Sequence, residues 1–336
     1  MVGRAPGDAP RGSGRWFDAG LRATPACEMR AYLCVSIDTE CDKGPAWRSK
    51  RPLSFDGIFE GIVARLQPLF RVHAAKPTYL LSPEVMRDAE SADALRSLLG
   101  SHELGAHLHG EYAEPGAFEP EVTKDFQRDY PEDLERKKLV YLTDLFGTTF
   151  GKAPRSFRAG RFGIGPSSIP ILSDLGYEVE SSVTPFVDWA SAGAKGLSFV
   201  GAPTQPYHPD PRAPEKTGAS AMLEVPVTIR PRALSHAPLF GKYIEPRWLR
   251  PTRGTEGQIV DVAKDEIKAA RAAHPERPIV LNAMFHNVEV IAGASPYAQT
   301  EADAEGIMDR LAALLDFARR EDIRVIGLSD VPELYA

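Results

Sequence analysis

Apolar residues are grouped along the chain in blocks whose spacing alternates between the strand and helix periods. Residues 31–37 form a short apolar run that ends abruptly in the polar residues 38–40, which is typical of a buried strand. Over residues 55–70 the apolar positions recur at helical spacing, and residues 77–81 again have the pattern of a strand. These blocks predict a βα unit followed by the next strand.

The same cycle continues to the end of the chain. Further helices are predicted at residues 92–99, 131–146, 169–175, 258–273 and 302–319. Further strands are predicted to end at residues 105–109 and to cover residues 177–182, 223–229, 278–285 and 323–328. Such alternation requires parallel strands with crossover helices, and about seven βα units favour a barrel over an open sheet.

Two stretches depart from this rhythm. Residues 1–29 contain several Gly, Pro and Arg, and we interpret them as an N-terminal extension that is poorly structured or peripheral. Residues 186–221 are rich in Gly, Pro and Ala and have little periodicity, which predicts a long loop excursion over the barrel mouth. Residues 30–336 are therefore expected to form a single catalytic domain.

Composition narrows the class of protein. Hydrophobic residues make up 43% and charged residues 26% of the chain, so neither disorder nor a fibrous repeat is indicated. The net charge is −6, and Lys and Arg form no long block, which argues against nucleic acid as the main partner. A small-molecule or glycan substrate fits this charge better.

Neither a targeting signal nor a cysteine-based site is indicated by the sequence. No window is long and apolar enough for a membrane span, and residues 1–29 lack the apolar stretch of a secretory signal. The three cysteines, Cys27, Cys34 and Cys41, lack the paired spacing of a zinc ribbon or a disulfide framework. We expect reduced thiols and a soluble, cytoplasmic protein.

Candidate chemistry lies where three apolar runs stop. Asp38 and Glu40 follow the first predicted strand, His107 and His109 end another, and His286 follows a third. In parallel α/β architectures reactive groups collect at the carboxyl ends of strands, because the loops converge there. We expect these side chains to lie close together.

The His-x-His pair indicates metal binding. Residues two apart on a strand point to the same side, so the imidazoles of His107 and His109 can reach one ion. Imidazole suits zinc, and a catalytic site needs only three protein ligands, of which Asp38 or Glu40 could supply the third. A helical interpretation would instead pair His107 with Glu111, which stays an alternative ligand.

Four segments resemble a known family. Residues 36–40 (Ser-Ile-Asp-Thr-Glu) and 103–109 (Glu-Leu-Gly-Ala-His-Leu-His) resemble the first two motifs of polysaccharide deacetylases with the NodB-homology domain. Residues 157–163 are similar to the third motif and residues 284–286 to the fifth. The resemblance extends over about residues 31–330, and it implies a distorted (β/α)7 barrel of the NodB-homology type and a divalent metal, Zn²⁺ being the expected ion.

The resemblance also implies roles by position. Asp38 corresponds to the general base, Arg158 to the residue that orients it, and His286 to the acid that protonates the leaving group. Glu40 would hold the metal together with the His-x-His pair. A divergent bacterial branch of the family has a similar histidine spacing.

Four further residues are candidates for substrate binding. Asp188 and Trp189 resemble the fourth motif, in which an acid tunes the catalytic histidine and an aromatic residue lines the pocket. Arg161 lies within the third motif and Glu111 follows the second, and they complete the group.

Two positions depart from the family pattern and leave the metal ligands open. Thr39 stands where the family has a second aspartate, so the base and ligand roles could fall to Asp38 or to Glu40. The second histidine is at position 109, and Glu111 occupies the position of the usual one.

The expected function is hydrolysis of an N-acyl amide, N-acetyl in the first instance, on a sugar or glycan precursor. The products would be the carboxylic acid and a free amine. Two alternatives stay open: a hydrolase of a non-sugar amide such as a ureide or formamide, and a catalytically inactive carbohydrate-binding relative.

Overall fold

A curled parallel sheet forms the centre of the molecule. The computed structural model describes residues 30–232 and 245–335, and the predicted extension 1–29 therefore lies outside the described residues. The strands are β1 (Ala31–Thr39), β2 (Thr78–Leu81), β3 (Glu103–Leu108), β4 (Ser156–Ala159), β5 (Val179–Glu180), β6 (Pro209–Asp210), β7 (Ala213–Thr217), β8 (Leu223–Glu224), β9 (Ile229–Arg230), β10 (Arg247–Trp248), β11 (Ile279–His286) and β12 (Arg324–Ile326).

Eight of these strands form the main sheet. Its order is β11-β1-β2-β3-β4-β5-β8, and β12 pairs with the first half of β1, all in parallel. Between β8 and β11 the gap is bridged by Thr228, whose backbone N–H donates to the carbonyl of Asn282 at 3.0 Å. The seven-strand path confirms the predicted (β/α)7 barrel, and β12 adds an eighth strand beside β1.

Helices cover the outside of the sheet. A helical segment with π-type hydrogen bonds, Gly57–Leu66, leads into α1 (Gln67–Val72). The others are α2 (Pro83–Arg87), α3 (Ala89–Arg96), α4 (Glu132–Phe150), α5 (Ser168–Asp174), α6 (Glu256–Ala273), α7 (Glu301–Arg320) and α8 (Pro332–Tyr335). Two of the three longest helices, α6 and α7, each begin with a capping box, which satisfies backbone N–H groups at the helix start.

The alternation of β1 decides what faces the barrel interior. Leu33, Val35 and Ile37 belong to the large core that is shared with the helices, whereas Cys34 belongs to a second apolar cluster formed with other strands. Because side chains on a strand alternate, Cys34 and Asp38 project to the same face. The chain therefore changes from apolar to polar along one face as it approaches the carboxyl end of β1.

Two predicted segments differ in detail. The predicted strand 223–229 is divided into β8 and β9, because Pro226 lies between them and has no N–H to donate to a ladder. The excursion 186–221 contains the hairpin β6–β7.

Among the described residues, no helix is long and apolar enough to cross a membrane.

Candidate active site

The first acid of the site is held by a buried arginine. Arg158, on β4, donates from Nη1 to Asp38 Oδ1 at 2.7 Å and from Nη2 to Ser36 Oγ at 2.8 Å. Its Nε donates to the carbonyl of Ser181 at 2.7 Å, and its side chain has no exposed surface. Burial raises the pKa of the Asp38 carboxyl, but the charges of Arg158, His107 and His286 together outweigh burial, and the pKa is lowered. Asp38 is thus held ionised, with Oδ2 left toward the cavity.

Glu40 lies between two imidazoles. Its Oε1 is 3.3 Å from His107 Nε2 and 2.9 Å from His109 Nε2, and its Oε2 is 2.8 Å from Lys43 Nζ. Asn287 fixes the backbone of Glu40 with two hydrogen bonds, to the N–H at 3.0 Å and to the carbonyl at 3.1 Å. Glu40 and both imidazoles are buried, so the geometry is set by packing.

The outer nitrogens of the two histidines have acceptors. His107 Nδ1 lies 2.9 Å from the carbonyl oxygen of Arg158, which can only accept, so this nitrogen carries the proton and Nε2 is free in the neutral ring. His109 Nδ1 lies 3.2 Å from Glu111 Oε1, and Arg161 Nη2 donates to the same oxygen at 2.9 Å. A carboxylate or carbonyl behind a ligating imidazole is the usual arrangement in metal sites.

Charges around His109 shift its protonation. Burial lowers the pKa of the imidazole, but the carboxylates of Glu40 and Glu111 outweigh burial and raise it to about 9. For Glu111, burial raises the pKa and is outweighed by His109 and Arg161, so its carboxyl group stays ionised. The negative charge of Glu111 therefore favours the protonated form of the His109 imidazole.

The donor set fits a divalent cation. Ligand atoms of Glu40, His107 and His109 lie within 4.8 Å of one another, and all three residues are buried. Two imidazole nitrogens and one carboxylate oxygen suit zinc, and three protein ligands leave room for water and substrate. Of the alternatives left open by the sequence, the structure brings Glu40 and His109 into this cluster.

His286 ends β11 beside Asp38, its register partner on β1. His286 Nε2 is 3.8 Å from Asp38 Oδ2 and 3.7 Å from Glu40 Oε1. Its Nδ1 lies 2.7 Å from Glu289 Oε1. Because an ionised carboxylate only accepts, Nδ1 carries a proton and Nε2 faces the reacting groups.

Glu289 is itself held ionised from the far side. Its carboxylate accepts hydrogen bonds from the Arg250 guanidinium and the Thr252 hydroxyl. Burial raises the pKa of Glu289, and Arg250 and His286 together lower it to about 2. His286 therefore has a charged, fixed partner, as a histidine in proton transfer requires.

These groups open onto one cavity of about 510 Å³. Its walls include aromatic rings: Trp47 meets the ring of His286 edge-on at 4.8 Å, and Trp189 stacks on Phe162 at 5.5 Å. The other lining residues are Asp38, Glu40, Lys43, Arg48, Ser49, Arg51, Leu53, His107, His109, Glu111, Tyr112, Phe118, Arg161, Arg250 and Tyr297.

The backbone at Gly160, in the third motif, packs closely against Leu108 and His109 of the second motif. A Cβ at Gly160 would lie 2.6 Å from the carbonyl oxygen of Leu108 and 3.2 Å from the ring of His109. Only glycine allows this contact, and the next residue, Arg161, lies with Nη1 3.5 Å from His109 Nδ1.

Two sequence interpretations change. His107 lies in β3, so the helical pairing of His107 with Glu111 is wrong, and Glu111 contacts His109 instead. Asp188 accepts a hydrogen bond from the N–H of Ala190 at 3.0 Å and is absent from the cavity wall, whereas its neighbour Trp189 lines it. The acid on His286, compared in the sequence with Asp188, is Glu289.

Sequence reasoning missed several supporting residues. Lys43 follows Glu40 by three positions and Glu289 follows His286 by three, a spacing that a tight turn brings together. These offsets were a usable signal. Arg250 is distant in sequence from every motif, so no local pattern identifies it.

Lys138 is another residue without a sequence signal. From the middle of α4 its buried Nζ donates to the carbonyls of Gly110, Ala113 and Pro115 at 2.7–3.0 Å. These three bonds tie the turn that carries Glu111 to α4, and they give the buried carbonyl of Ala113 a charged donor. Lys138 thus supports the site from behind the loop.

Comparison with known proteins identifies the fold. No protein-family model matches the sequence, and no curated protein does either. A solved structure from Parabacteroides distasonis, described as a glycoside hydrolase/deacetylase, has 14% identity and a TM-score of 0.62, with 93% of this chain and 73% of that chain covered.

Two further structures have the same fold. One from Pseudomonas aeruginosa, described as a polysaccharide deacetylase, has 12% identity and a TM-score of 0.54, with 91% of this chain and 90% of that chain covered. An allantoinase has 14% identity and a TM-score of 0.53, with 91% and 89% covered. The chain therefore has the fold found in polysaccharide deacetylases, which confirms the resemblance of its motifs at the level of the fold.

Proposed function

We propose that this protein is a metal-dependent hydrolase of the polysaccharide deacetylase family that removes an acyl group from the amide nitrogen of a sugar or glycan precursor. One observation carries the proposal. The Glu40, His107 and His109 cluster opens onto the same cavity as two proton-transfer groups, Asp38 and His286, each of which has its own buried partner.

Amide hydrolysis needs a base, an acid and stabilisation of the carbonyl oxygen as charge develops on it. A divalent ion held by Glu40, His107 and His109 supplies Lewis acidity toward the carbonyl and toward water. Zn²⁺ is the ion that this donor set suits best.

The residues of the chain move the protons. Asp38, kept ionised by Arg158, accepts a proton from water as the new C–O bond forms. His286, with Nδ1 bonded to Glu289, delivers a proton from Nε2 to the nitrogen as the C–N bond breaks. Water adds across the amide, and the carboxylic acid and the amine leave.

The walls of the cavity favour a small sugar substrate. A volume of about 510 Å³ lies within the usual range for small-molecule sites. The rings of Trp47 and Trp189 offer apolar faces beside polar groups, a combination that suits the mixed surface of a pyranose ring.

The proposal is tested by metal analysis combined with turnover. Purified protein should contain about one zinc or similar ion per chain, and it should release acetate or formate from a panel of N-acetyl and N-formyl amino sugars. His286→Ala should retain the metal and lose turnover. Unchanged turnover in that variant would contradict the role of His286.

The panel should include ureides and formamides. A non-sugar amidase is a specific alternative because an allantoinase has the same fold. Hydrolysis of ureides without hydrolysis of amino sugars would establish that alternative. Sugar binding at full metal content, with no hydrolysis of any compound, would instead indicate an inactive carbohydrate-binding relative.

A further inference from the structure

The acids that line the cavity are already neutralised. Each of the three has a cation at hydrogen-bonding distance, 2.7–2.9 Å away: the pairs are Asp38 with Arg158, Glu40 with Lys43, and Glu111 with Arg161. Glu289, behind the wall, is paired in the same way with Arg250. Any further cation in the wall therefore adds net positive charge to the cavity.

Two such cations are present. Arg48 and Arg51 line the cavity from the segment that follows Lys43, both are exposed, and neither has an acidic partner among residues 30–232 and 245–335. The guanidinium of Arg51 lies 4.0 Å from the centre of the Phe118 ring. Stacking fixes the plane of the guanidinium and leaves its N–H groups free to bind at the edge.

A third arginine extends this positive edge. Arg253 lies over the ring of Tyr297 at 5.6 Å and likewise has no ion pair in the described part of the chain. Tyr297 lines both the site cavity and an adjoining cavity of about 570 Å³, in whose wall Arg253 lies. The protein as a whole carries a net charge of −6, so this concentration of positive charge opposes the overall balance.

We infer that the substrate of this site carries an anionic oxygen group, a phosphate or a carboxylate, that Arg48 and Arg51 bind at the exposed edge of the cavity. The inference rests on the proposed function and narrows its substrate class from amino sugars in general to acidic ones. Guanidinium groups bind either anion through paired N–H···O bonds, so the chemistry is shared and the source must be distinguished by experiment.

The test is a binding measurement that does not depend on turnover. Calorimetry with metal-loaded protein would compare N-acetylglucosamine, a phosphate ester of it, and its uronic acid. One or both acidic compounds should bind at least about tenfold more tightly than the neutral sugar, with an affinity that falls as salt is raised. The tighter of the two identifies the anion.

Variants locate the effect. Arg48→Gln and Arg51→Gln should each weaken binding of the preferred acidic sugar by about tenfold, the contribution of one charge-assisted contact. Lys50→Gln is the matched control, because Lys50 is exposed in the same segment, carries the same charge and is absent from the cavity wall. Melting temperatures of the three variants would show that each is folded.

The outcomes separate the two proposals. Equal binding of all three sugars, or equal losses in the arginine and Lys50 variants, would overturn the anionic-substrate inference while leaving deacetylation intact. Tight, arginine-dependent binding of an acidic sugar with no release of acetate would support the inference and count against the proposed reaction.

Discussion

Metal binding at this site should release a proton from His109. The two glutamates beside the imidazole raise its pKa to about 9, so at pH 7 the ring is about 99% protonated without an ion, by the Henderson relation. A ligating imidazole must be neutral, and one proton must therefore leave when the ion binds. Removing this proton makes the free energy of metal binding at pH 7 about 3 kcal/mol less favourable than it is well above pH 9.

The consequence is a steep pH dependence with a definite sign. Because the proton competes with the ion, apparent affinity should rise about tenfold per pH unit between pH 7 and 9 and level off above that. Zinc titrations by calorimetry in two buffers of different ionisation enthalpy would count the protons released at each pH. Since water on the ion can also lose a proton, a variant must isolate the share of His109.

Glu111→Gln is that variant. It removes the carboxylate 3.2 Å from His109 Nδ1 and retains an acceptor oxygen of similar shape. Loss of this charge should lower the pKa of His109 by about one unit or more, so the variant should release fewer protons than the wild type at pH 8 to 9. Identical proton counts in the two proteins would refute the reasoning.

Three other perturbations give separate tests. Arg158→Met should destabilise the fold by about 3–5 kcal/mol in urea unfolding, because it leaves Asp38 buried without its cation, and the double variant with Asp38→Asn should recover most of this loss. Glu289→Gln should lower kcat by about 100-fold while zinc content stays unchanged, and a fall in zinc content instead would place Glu289 in support of the metal. Lys138→Met should reduce kcat and raise exposure of the 110–115 turn to proteolysis, whereas an unchanged digestion pattern would show that its three carbonyl bonds do not hold the turn.

The fold was predictable because its signal is local. Strand and helix periods differ, and blocks such as residues 31–37 and 258–273 were long and regular enough to identify. The strand period also placed His107 and His109 on the same face of their strand, where both imidazoles can reach one ion. The division between β8 and β9 was missed because the apolar pattern continues through Pro226, although that residue itself signalled a break.

The rest of the site depends on contacts between distant segments. Glu289 and Arg250 belong to different loops, and their pairing behind His286 follows from the barrel rather than from any spacing. The strand period could not separate Asp38 from Glu40 either, because residues two apart share a face. Side-chain direction beyond the end of β1, set by Asn287 and Arg158, is what separates them.

That separation gives an expectation for two isosteric variants. Both imidazole Nε2 atoms converge on Oε1 of Glu40, whereas Asp38 gives one oxygen to Arg158 and keeps Oδ2 between 3.8 and 4.0 Å from the nearest imidazole nitrogens. Glu40→Gln should therefore weaken zinc binding by more than about 100-fold, because a ligand is lost.

Asp38→Asn should bind zinc within about tenfold of the wild type and lose about 100-fold or more in kcat, because an amide cannot accept the proton. Zinc content after dialysis and acetate release by the reconstituted proteins would measure the two effects. If Asp38→Asn lost the metal and Glu40→Gln kept it, the base and the ligand would exchange places.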